Sequence, residues 1–268
     1  MKSPRCLLSL LCLFTAIVSS RAAHPLMMCD AGNNRVCVVS AEGKIEWEHP
    51  AVHPQDCWRM PNGNYLFCFK DGALEISPTH QQVWAYKTPT NSEVHSCQPL
   101  PGGLVMLVEC GPSRIIEVDR QGKITKKIKL TTSPKVGRHD QFRGTRKTKD
   151  GHYIVCFKGE HKVVELDGDG HKVIEIDAAE KLVWELNEND LPGNPLRLMA
   201  GCQRLPNGNT VFVNYLGHGH AGQQPSVIEV TRDKRVVWSL EDTKTFKVVS
   251  QVQLLDVPGD ATKGEILR

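Results

Sequence analysis

Two stretches near the middle of the chain combine histidine with arginine, residue types that bind anions and carry out acid–base or nucleophilic chemistry. The first contains His95, and the second runs from His139 through Arg143 to Arg146. Guanidinium groups bind sulfate, phosphate or carboxylate through paired hydrogen bonds, and imidazole can act as a base or as a nucleophile. One hypothesis is therefore an anion pocket in which Arg143 and Arg146 bind the ligand, with His139 and His95 beside it.

A second candidate site is a pair of histidines, His218 and His220, which one glycine separates. Two imidazoles at this spacing can share a metal ion, but a metal site needs at least one further ligand, such as His95 or Asn214. Paired histidines in a glycine-rich stretch are more often simple loop residues. The sequence leaves both interpretations open.

The elements that would position these side chains follow from an internal repeat. A Pro-Asn-Gly-Asn turn occurs at 61–64 and again at 206–209, with weaker versions at 101–103 and 149–151. Asparagine and glycine supply the positive φ angles of tight hairpin turns. Each turn is followed by a strand rich in apolar residues, by a strand of the pattern apolar-apolar-Glu-apolar, and in most copies by a strand that carries tryptophan. With one more short strand before the turn, each unit of roughly 40–57 residues is typical of a propeller blade.

The two ends of the chain complete this pattern. The first unit starts at a second strand, Leu26–Asp30, and Gln251–Asp256 resembles the first strand that it lacks. The segments His161–Asp167 and His171–Asp177 are near-copies, which indicates that one blade has lost about half of itself. We therefore predict an all-β protein, a β-propeller of four-stranded blades. It would have five blades plus a vestigial extra strand, from a six-bladed ancestor with an internal deletion, and the N- and C-terminal strands would close one blade.

The repeat resembles known propeller families. The end of the unit at 43–47, Gly-Lys-Ile-Glu-Trp, resembles the repeat of PQQ-type quinoprotein propellers, and the Leu-Pro-Asn-Gly-Asn turn at 205–209 resembles arylsulfotransferase-like propellers. The mature chain is similar throughout to exported, uncharacterised bacterial PQQ-like proteins. The arylsulfotransferase resemblance implies a channel histidine that attacks sulfur, for which His139 and His95 are the candidates. PQQ itself is not expected, because this chain is too short for an eight-bladed disc and lacks adjacent cysteines; the cofactor stays open.

The propeller prediction also places the candidate residues. First strands line the central channel, and they are expected to begin at Cys57, Cys97, Thr145 and Cys202. The long loops, which include His95 and His139, are expected to share one face, where function is usually located. One position of the first strands predicts a polar ring around the channel, formed by Trp58, Gln98, Arg146, Gln203 and Gln253. This ring either binds a ligand or consists of buried polar residues that satisfy one another and channel water.

The first 22 residues have the pattern of a secretory signal peptide. Lys2 and Arg5 precede an apolar run, Cys6 to Val18, which is too short to span a bilayer. We therefore expect residues 23–268 to form one propeller domain, periplasmic or secreted, with no membrane span after the signal is removed. Three of the 33 basic residues lie in the signal, so the rest balance the 30 acidic residues. This balance argues against nucleic acid as a partner.

Three functions stay open on these grounds. The first is a non-catalytic exported propeller that binds a ligand or a protein partner through its long-loop face and channel mouth. The second is an enzyme that acts on a small anionic or sugar-like substrate in the channel mouth, by sulfuryl transfer or hydrolysis. The third is a structural remnant of a larger propeller. We expect a monomer whose cysteines, repeated at equivalent core positions, are mostly free buried thiols.

Overall fold

The structure is a computed structural model. It describes residues 24–132, 134–147, 149, 151, 153–157, 173–176, 182–187, 189–193, 195–196, 199–216, 219–266 and 268. Within these ranges the regular elements are β-strands and three-residue 3-10 turns, so the all-β prediction is confirmed. No helix among the described residues is long and apolar enough to cross a membrane. The predicted signal peptide, residues 1–22, lies outside the described ranges.

The described strands form four antiparallel sheets of four strands and two sheets of two strands. The first sheet contains β1 (Leu26–Asp30), β2 (Arg35–Val39), β3 (Ile45–Pro50) and β20 (Val249–Leu254). The second contains β4 (Pro54–Arg59), β5 (Tyr65–Phe69), β6 (Gly72–Ile76) and β7 (Gln82–Lys87). The third contains β8 (Glu93–Pro99), β9 (Val105–Cys110), β10 (Arg114–Val118) and β11 (Ile124–Lys129).

The remaining strands follow the same hairpin order. The fourth four-stranded sheet contains β16 (Met199–Arg204), β17 (Thr210–Asn214), β18 (Val227–Val230) and β19 (Val236–Ser239). The two-stranded sheets pair β12 (Phe142–Lys147) with β13 (Tyr153–Phe157), and β14 (Val173–Ile176) with β15 (Leu182–Leu186). Of the two near-copies in the sequence, part of the second is therefore β14, whereas His161–Asp167 lies outside the described residues. The half-blade deletion stays a prediction.

The first strands of successive sheets lie side by side. β4 contacts β8, β8 contacts β12, β12 contacts β16, β16 contacts β20, and β20 contacts β4. Between β8 and β12, Ser96 Oγ donates to the Thr145 carbonyl at 2.9 Å and Gln98 Nε2 donates to the Lys147 carbonyl at 3.0 Å. From the first contact to the second, the residue number rises from 96 to 98 in β8 and from 145 to 147 in β12, so the two strands run in the same direction. β20 also pairs with β1, which puts the two terminal strands into one sheet.

The repeated glutamate and tryptophan have structural roles. Glu75 accepts a hydrogen bond from Asn64 Nδ2 of the hairpin turn at 2.6 Å, which ties the turn to its own sheet. Trp84 Nε1 donates to the Asp119 carbonyl at 2.9 Å, which ties the second sheet to the third. The same pairs recur as Asn209 with Glu229, and Trp184 with Arg232. These motifs therefore hold the fold together and leave the chemistry to other residues.

The apolar core is distributed between neighbouring sheets. One cluster joins Trp58 and Leu66 of the second sheet to Leu107 and Ile116 of the third. Such side chains alternate along the strands and fill the space between sheets that pack face to face. The cysteines with described side chains are all free thiols in the structure, namely Cys29, Cys37, Cys57, Cys68, Cys97, Cys110 and Cys202. All but Cys202, which is half-buried, are buried in this core.

The first strands begin about three residues earlier than the repeat predicts, and this changes where His95 lies. β8 begins at Glu93 rather than at Cys97, because its ladder continues to the end of β9, where Glu93 pairs with Cys110. His95 was expected in a long loop, and that expectation is wrong. It lies inside β8 and is only 3% exposed.

Candidate functional site

The first halves of two neighbouring strands bring together four of the polar residues near the channel. Glu93 and His95 lie in β8, Arg143 lies in β12, and His139 belongs to the 3-10 turn that precedes β12. β8 and β12 are side by side and run in the same direction, so their starting ends meet. We call Glu93, His95, His139 and Arg143 the mouth cluster.

Both imidazoles of the mouth cluster contact one carboxylate oxygen. His95 Nε2 lies 3.0 Å and His139 Nδ1 lies 2.8 Å from Glu93 Oε2. The opposite ring nitrogens face Arg143, whose Nη2 is 3.1 Å from His139 Nε2 and whose Nη1 contacts His95 Nδ1. Arginine can only donate, so these contacts favour tautomers in which the nitrogens that face Arg143 accept and those that face Glu93 donate. His95 Nδ1 also lies 3.2 Å from the Phe142 carbonyl, which favours a proton on that nitrogen instead.

The same residues have the composition of a metal site. The ligand atoms of Glu93, His95 and His139 lie within 4.8 Å of one another, and two imidazoles with a carboxylate suit several transition metals. However, the contacts with Arg143 favour protons on the imidazole nitrogens that face the carboxylate, and Arg143 places a positive charge beside both rings. The geometry therefore favours a hydrogen-bonded network over a metal centre.

Burial and neighbouring charges set the ionisation of the mouth cluster. Burial by itself would raise the pKa of Glu93, but the hydrogen bond from His139 and the neighbouring His95 lower that pKa to about 2. Burial lowers the pKa of His95 to about 3, and the positive charge of Arg143 adds to this effect. Burial also lowers the pKa of Arg143. Near neutral pH the cluster thus holds an ionised carboxylate and a neutral His95.

Access to solvent differs sharply within this cluster. The side chain of His139 is 60% exposed, whereas those of Glu93 and His95 are buried. Arg138, which donates from Nε to Glu93 Oε1 at 3.2 Å, is also exposed. The two imidazole rings meet edge to face, with centroids 5.0 Å apart. Glu93 thus orients an accessible histidine whose Nε2 lone pair lies beside a guanidinium group.

The second predicted arginine lies in a different network. Arg146 forms two hydrogen bonds with Asp56, at 2.7 and 3.2 Å, and a third with Ser96 Oγ at 2.8 Å. Its guanidinium carbon is 5.1 Å from the Trp58 ring centroid, and Arg268 contacts the same ring from 3.9 Å. We call Asp56, Trp58, Arg146 and Arg268 the channel cluster. Arg143 and Arg146, expected in one pocket, therefore belong to two clusters.

The glutamines of the predicted ring join neighbouring first strands. Gln98 donates to the Lys147 carbonyl and accepts from the Lys147 amide at 2.7 Å. Gln253 Oε1 accepts from the Arg59 amide at 2.7 Å. Gln203 is buried and lines a narrow cavity beside Arg268. For Gln98 and Gln253 these contacts match the interpretation in which buried polar residues satisfy one another.

The predicted histidine pair is only partly described. His220 is half-buried, and its Nδ1 lies 3.0 Å from Gln223 Oε1, while His218 lies outside the described residues. Sequence reasoning missed Glu93, Asp56 and Arg268. A signal existed for the two acids, since Glu93 precedes His95 by two residues and Asp56 precedes Trp58 by two, which places each pair on one face of a regular strand. No signal in the repeat pointed to Arg268.

Comparisons with known proteins give information on the fold of this chain and none on its function. No protein-family profile matches the chain, and no curated protein matches it. A structure of a protein of unknown function from Bacteroides caccae is similar, with 25% identity and a TM-score of 0.75, over 86% of this chain and 98% of that one. Virginiamycin B lyase from Staphylococcus aureus aligns with 12% identity and a TM-score of 0.41, over 90% of this chain and 73% of that one. The WD40 β-propeller domain of Doa1 aligns with 12% identity and a TM-score of 0.40, over 67% of this chain and 54% of that one.

Proposed function

We propose that residues 23–268 form an exported, monomeric five-bladed β-propeller that binds a small anionic ligand at its channel mouth. The contacts that link β4, β8, β12, β16 and β20 in sequence, and return from β20 to β4, support five blades in a ring. The pairing of β20 with β1 supports closure by the two ends of the chain. Export follows from the signal pattern of residues 1–22, and N-terminal sequencing of secreted protein should begin at Ala23 or His24.

The observation that carries the binding role is the exposed His139 in its charged setting. Glu93 accepts a hydrogen bond from the His139 imidazole, and the positively charged side chains of Arg138 and Arg143 lie beside this pair. These three basic residues face a single carboxylate, and that carboxylate is buried. Arg143 Nη1 donates to the His139 and Phe142 carbonyls, so an anion with several oxygens would accept from the exposed Arg138 and replace one of these acceptors at Arg143. Charged hydrogen bonds of this kind contribute about 1.5–3 kcal/mol each.

Calorimetric titration with sulfate, phosphate and phenyl sulfate tests this proposal. The wild type should bind at least one of these anions, and Arg143→Ala should weaken binding by about ten- to a hundredfold, the loss of one charged hydrogen bond. Arg235→Ala is the matched control, because Arg235 is 74% exposed and pairs only locally with Asp233. Absence of binding to the wild type, or equal binding by the Arg143 variant, would contradict the proposal.

A second candidate function is catalysis at the same residues. The Glu93–His139 pair turns His139 Nε2 away from the carboxylate and towards Arg143, so Nε2 could act as a nucleophile or general base once Arg143 transfers its hydrogen bond to a substrate oxygen. Nε2 would attack the sulfur or phosphorus of an aryl ester as the bond to the aryl oxygen breaks and the phenolate leaves, and water would then hydrolyse the histidine adduct. As a general base, Nε2 would instead take the proton of a water that displaces the phenolate directly. In both cases Arg143 neutralises the non-bridging oxygens. The test is turnover of an aryl sulfate or aryl phosphate. His139→Gln should abolish turnover, whereas a wild type without turnover would leave the binding role alone.

A further inference from the structure

The segment that follows β20 folds back onto the first strands. Its 3-10 turn, Ala261–Lys263, is capped by the Asp260 side chain, which accepts from the Thr262 amide at 2.9 Å. Ala261 and Ile266 are buried in the same apolar cluster as Trp58. This packing delivers Arg268 into the channel, where its side chain is almost fully buried.

The guanidinium group of Arg268 meets a set of partners that suits its shape and charge. Its carbon lies 3.9 Å from the Trp58 ring centroid, within the range of a cation–π contact. Nη1 donates to the Val252 carbonyl at 2.7 Å, and Nη2 contacts the Cys57 carbonyl and lies 3.4 Å from Asp56 Oδ1. An aromatic face, two carbonyls and a carboxylate around one planar cation form a pocket that recognises the guanidinium fork.

The occupant is held less completely than its neighbour. Asp56 already forms two hydrogen bonds with Arg146, so one carboxylate faces two buried guanidinium groups. The Nε atoms of both arginines are buried without a hydrogen-bond partner, but the Nη atoms of Arg146 form four hydrogen bonds and those of Arg268 form two. Burial lowers the pKa of Arg268, and the charge of Arg146 adds to this effect while Asp56 opposes it. A buried charge with incomplete pairing costs free energy, which makes this residue the exchangeable member of the cluster.

This pocket lies further along the first strands than the mouth cluster. Cys57 and Val252 lie in the second halves of β4 and β20, whereas Glu93 and His95 lie in the first half of β8. We propose that the channel cluster is a guanidinium-binding site, which the chain's own Arg268 occupies in competition with an arginine-bearing or other guanidinium ligand. The proposal is independent of the anion site, because the two share no residue.

Removing the internal occupant should expose the site to a free ligand. Full-length Arg268→Ala should unfold at a lower temperature than the wild type, and N-methylguanidinium should restore part of the loss. By calorimetry this variant should bind N-methylguanidinium at least about tenfold more tightly than the wild type does. Methylammonium and urea, which lack the charge or the planar cationic fork, are the matched probes and should not bind.

Further variants keep the test decisive. Arg235→Ala removes an exposed arginine and should not create binding of N-methylguanidinium. Ile266→Ser loosens the docked segment and leaves the first strands intact, so it should also bind the probe more tightly than the wild type, even if Arg268→Ala does not fold. The proposal is overturned if neither variant binds, if methylammonium binds as well as N-methylguanidinium, or if the wild type binds as tightly as the variants.

Discussion

The mouth cluster and the channel cluster both combine an acid with arginine, yet they differ in how much of the cluster is exposed to solvent. Each combines one buried acid with an arginine of β12, Arg143 in the mouth cluster and Arg146 in the channel cluster. In the mouth cluster the His139 side chain is 60% exposed, whereas in the channel cluster the Arg146 side chain is 3% exposed and its Nη atoms bond to protein acceptors. Residue type alone does not make an anion-binding site, because an arginine whose N–H groups already have protein acceptors has few left to donate to an anion.

The largest expected effect comes from removing the acid of the channel cluster. Asp56→Asn leaves Arg146 and Arg268 buried without a carboxylate, so the free energy of unfolding should fall by about 3–5 kcal/mol, the usual effect of breaking a buried pair. Urea unfolding measures this loss. Arg235→Ala, the exposed control, should leave the unfolding curve unchanged. A loss below about 1 kcal/mol would mean that the channel cluster is not sealed from solvent, and the comparison would fail.

A smaller effect should separate the clusters by their response to pH. Burial lowers the pKa of His95 from 6.5 to about 3, so between these values the unfolded chain binds the proton and the folded chain does not. Stability should therefore fall as the pH drops from 7 to 4, with His95 contributing about 2–3 kcal/mol of the change. Glu93, with its pKa lowered to about 2, loses stability in the same direction below about pH 4.5.

The measurement is urea unfolding at pH 7 and pH 4. His95→Asn should show a smaller difference between the two pH values than the wild type does, by the contribution of His95. Trp58→Phe alters the channel cluster without removing a titratable group and should keep the wild-type difference. If the His95 variant keeps the full dependence, the acid sensitivity does not come from the mouth cluster.

The smallest effect on stability is expected at the accessible histidine. His139→Ala removes an exposed side chain, so the free energy of unfolding should change by less than about 1 kcal/mol. The same variant should lose most of its affinity for the anion that the wild type binds, as calorimetry would show. A small change in the free energy of unfolding together with a large loss of affinity is the result expected for a residue that contacts the ligand. A large loss of stability with intact binding would assign His139 a structural role and move the ligand site elsewhere.

Much of the fold could be predicted from local sequence. Leu26–Asp30 is predicted with the bounds that it has in the structure, and the apolar strand predicted after the first Asn-Gly turn is Tyr65–Phe69. Turn residues and β-branched runs act over a few neighbours, which is why the repeat exposes them. The start of β8 was missed, since Glu93 and His95 are polar and look like loop residues until their buried partners are known.

The sequence by itself indicated most of the strands and their order in each unit, because these depend on short-range periodicity repeated along the chain. It also indicated that histidine and arginine concentrate near β8 and β12. Only the tertiary structure decided which charges meet. Asp56 pairs with Arg146 across 90 residues of sequence, and Arg268 reaches Trp58 from the far end of the chain. Such pairs depend on the packing of whole sheets, whose geometry no local pattern encodes. This packing leaves the His139 side chain exposed to solvent and buries that of Arg146.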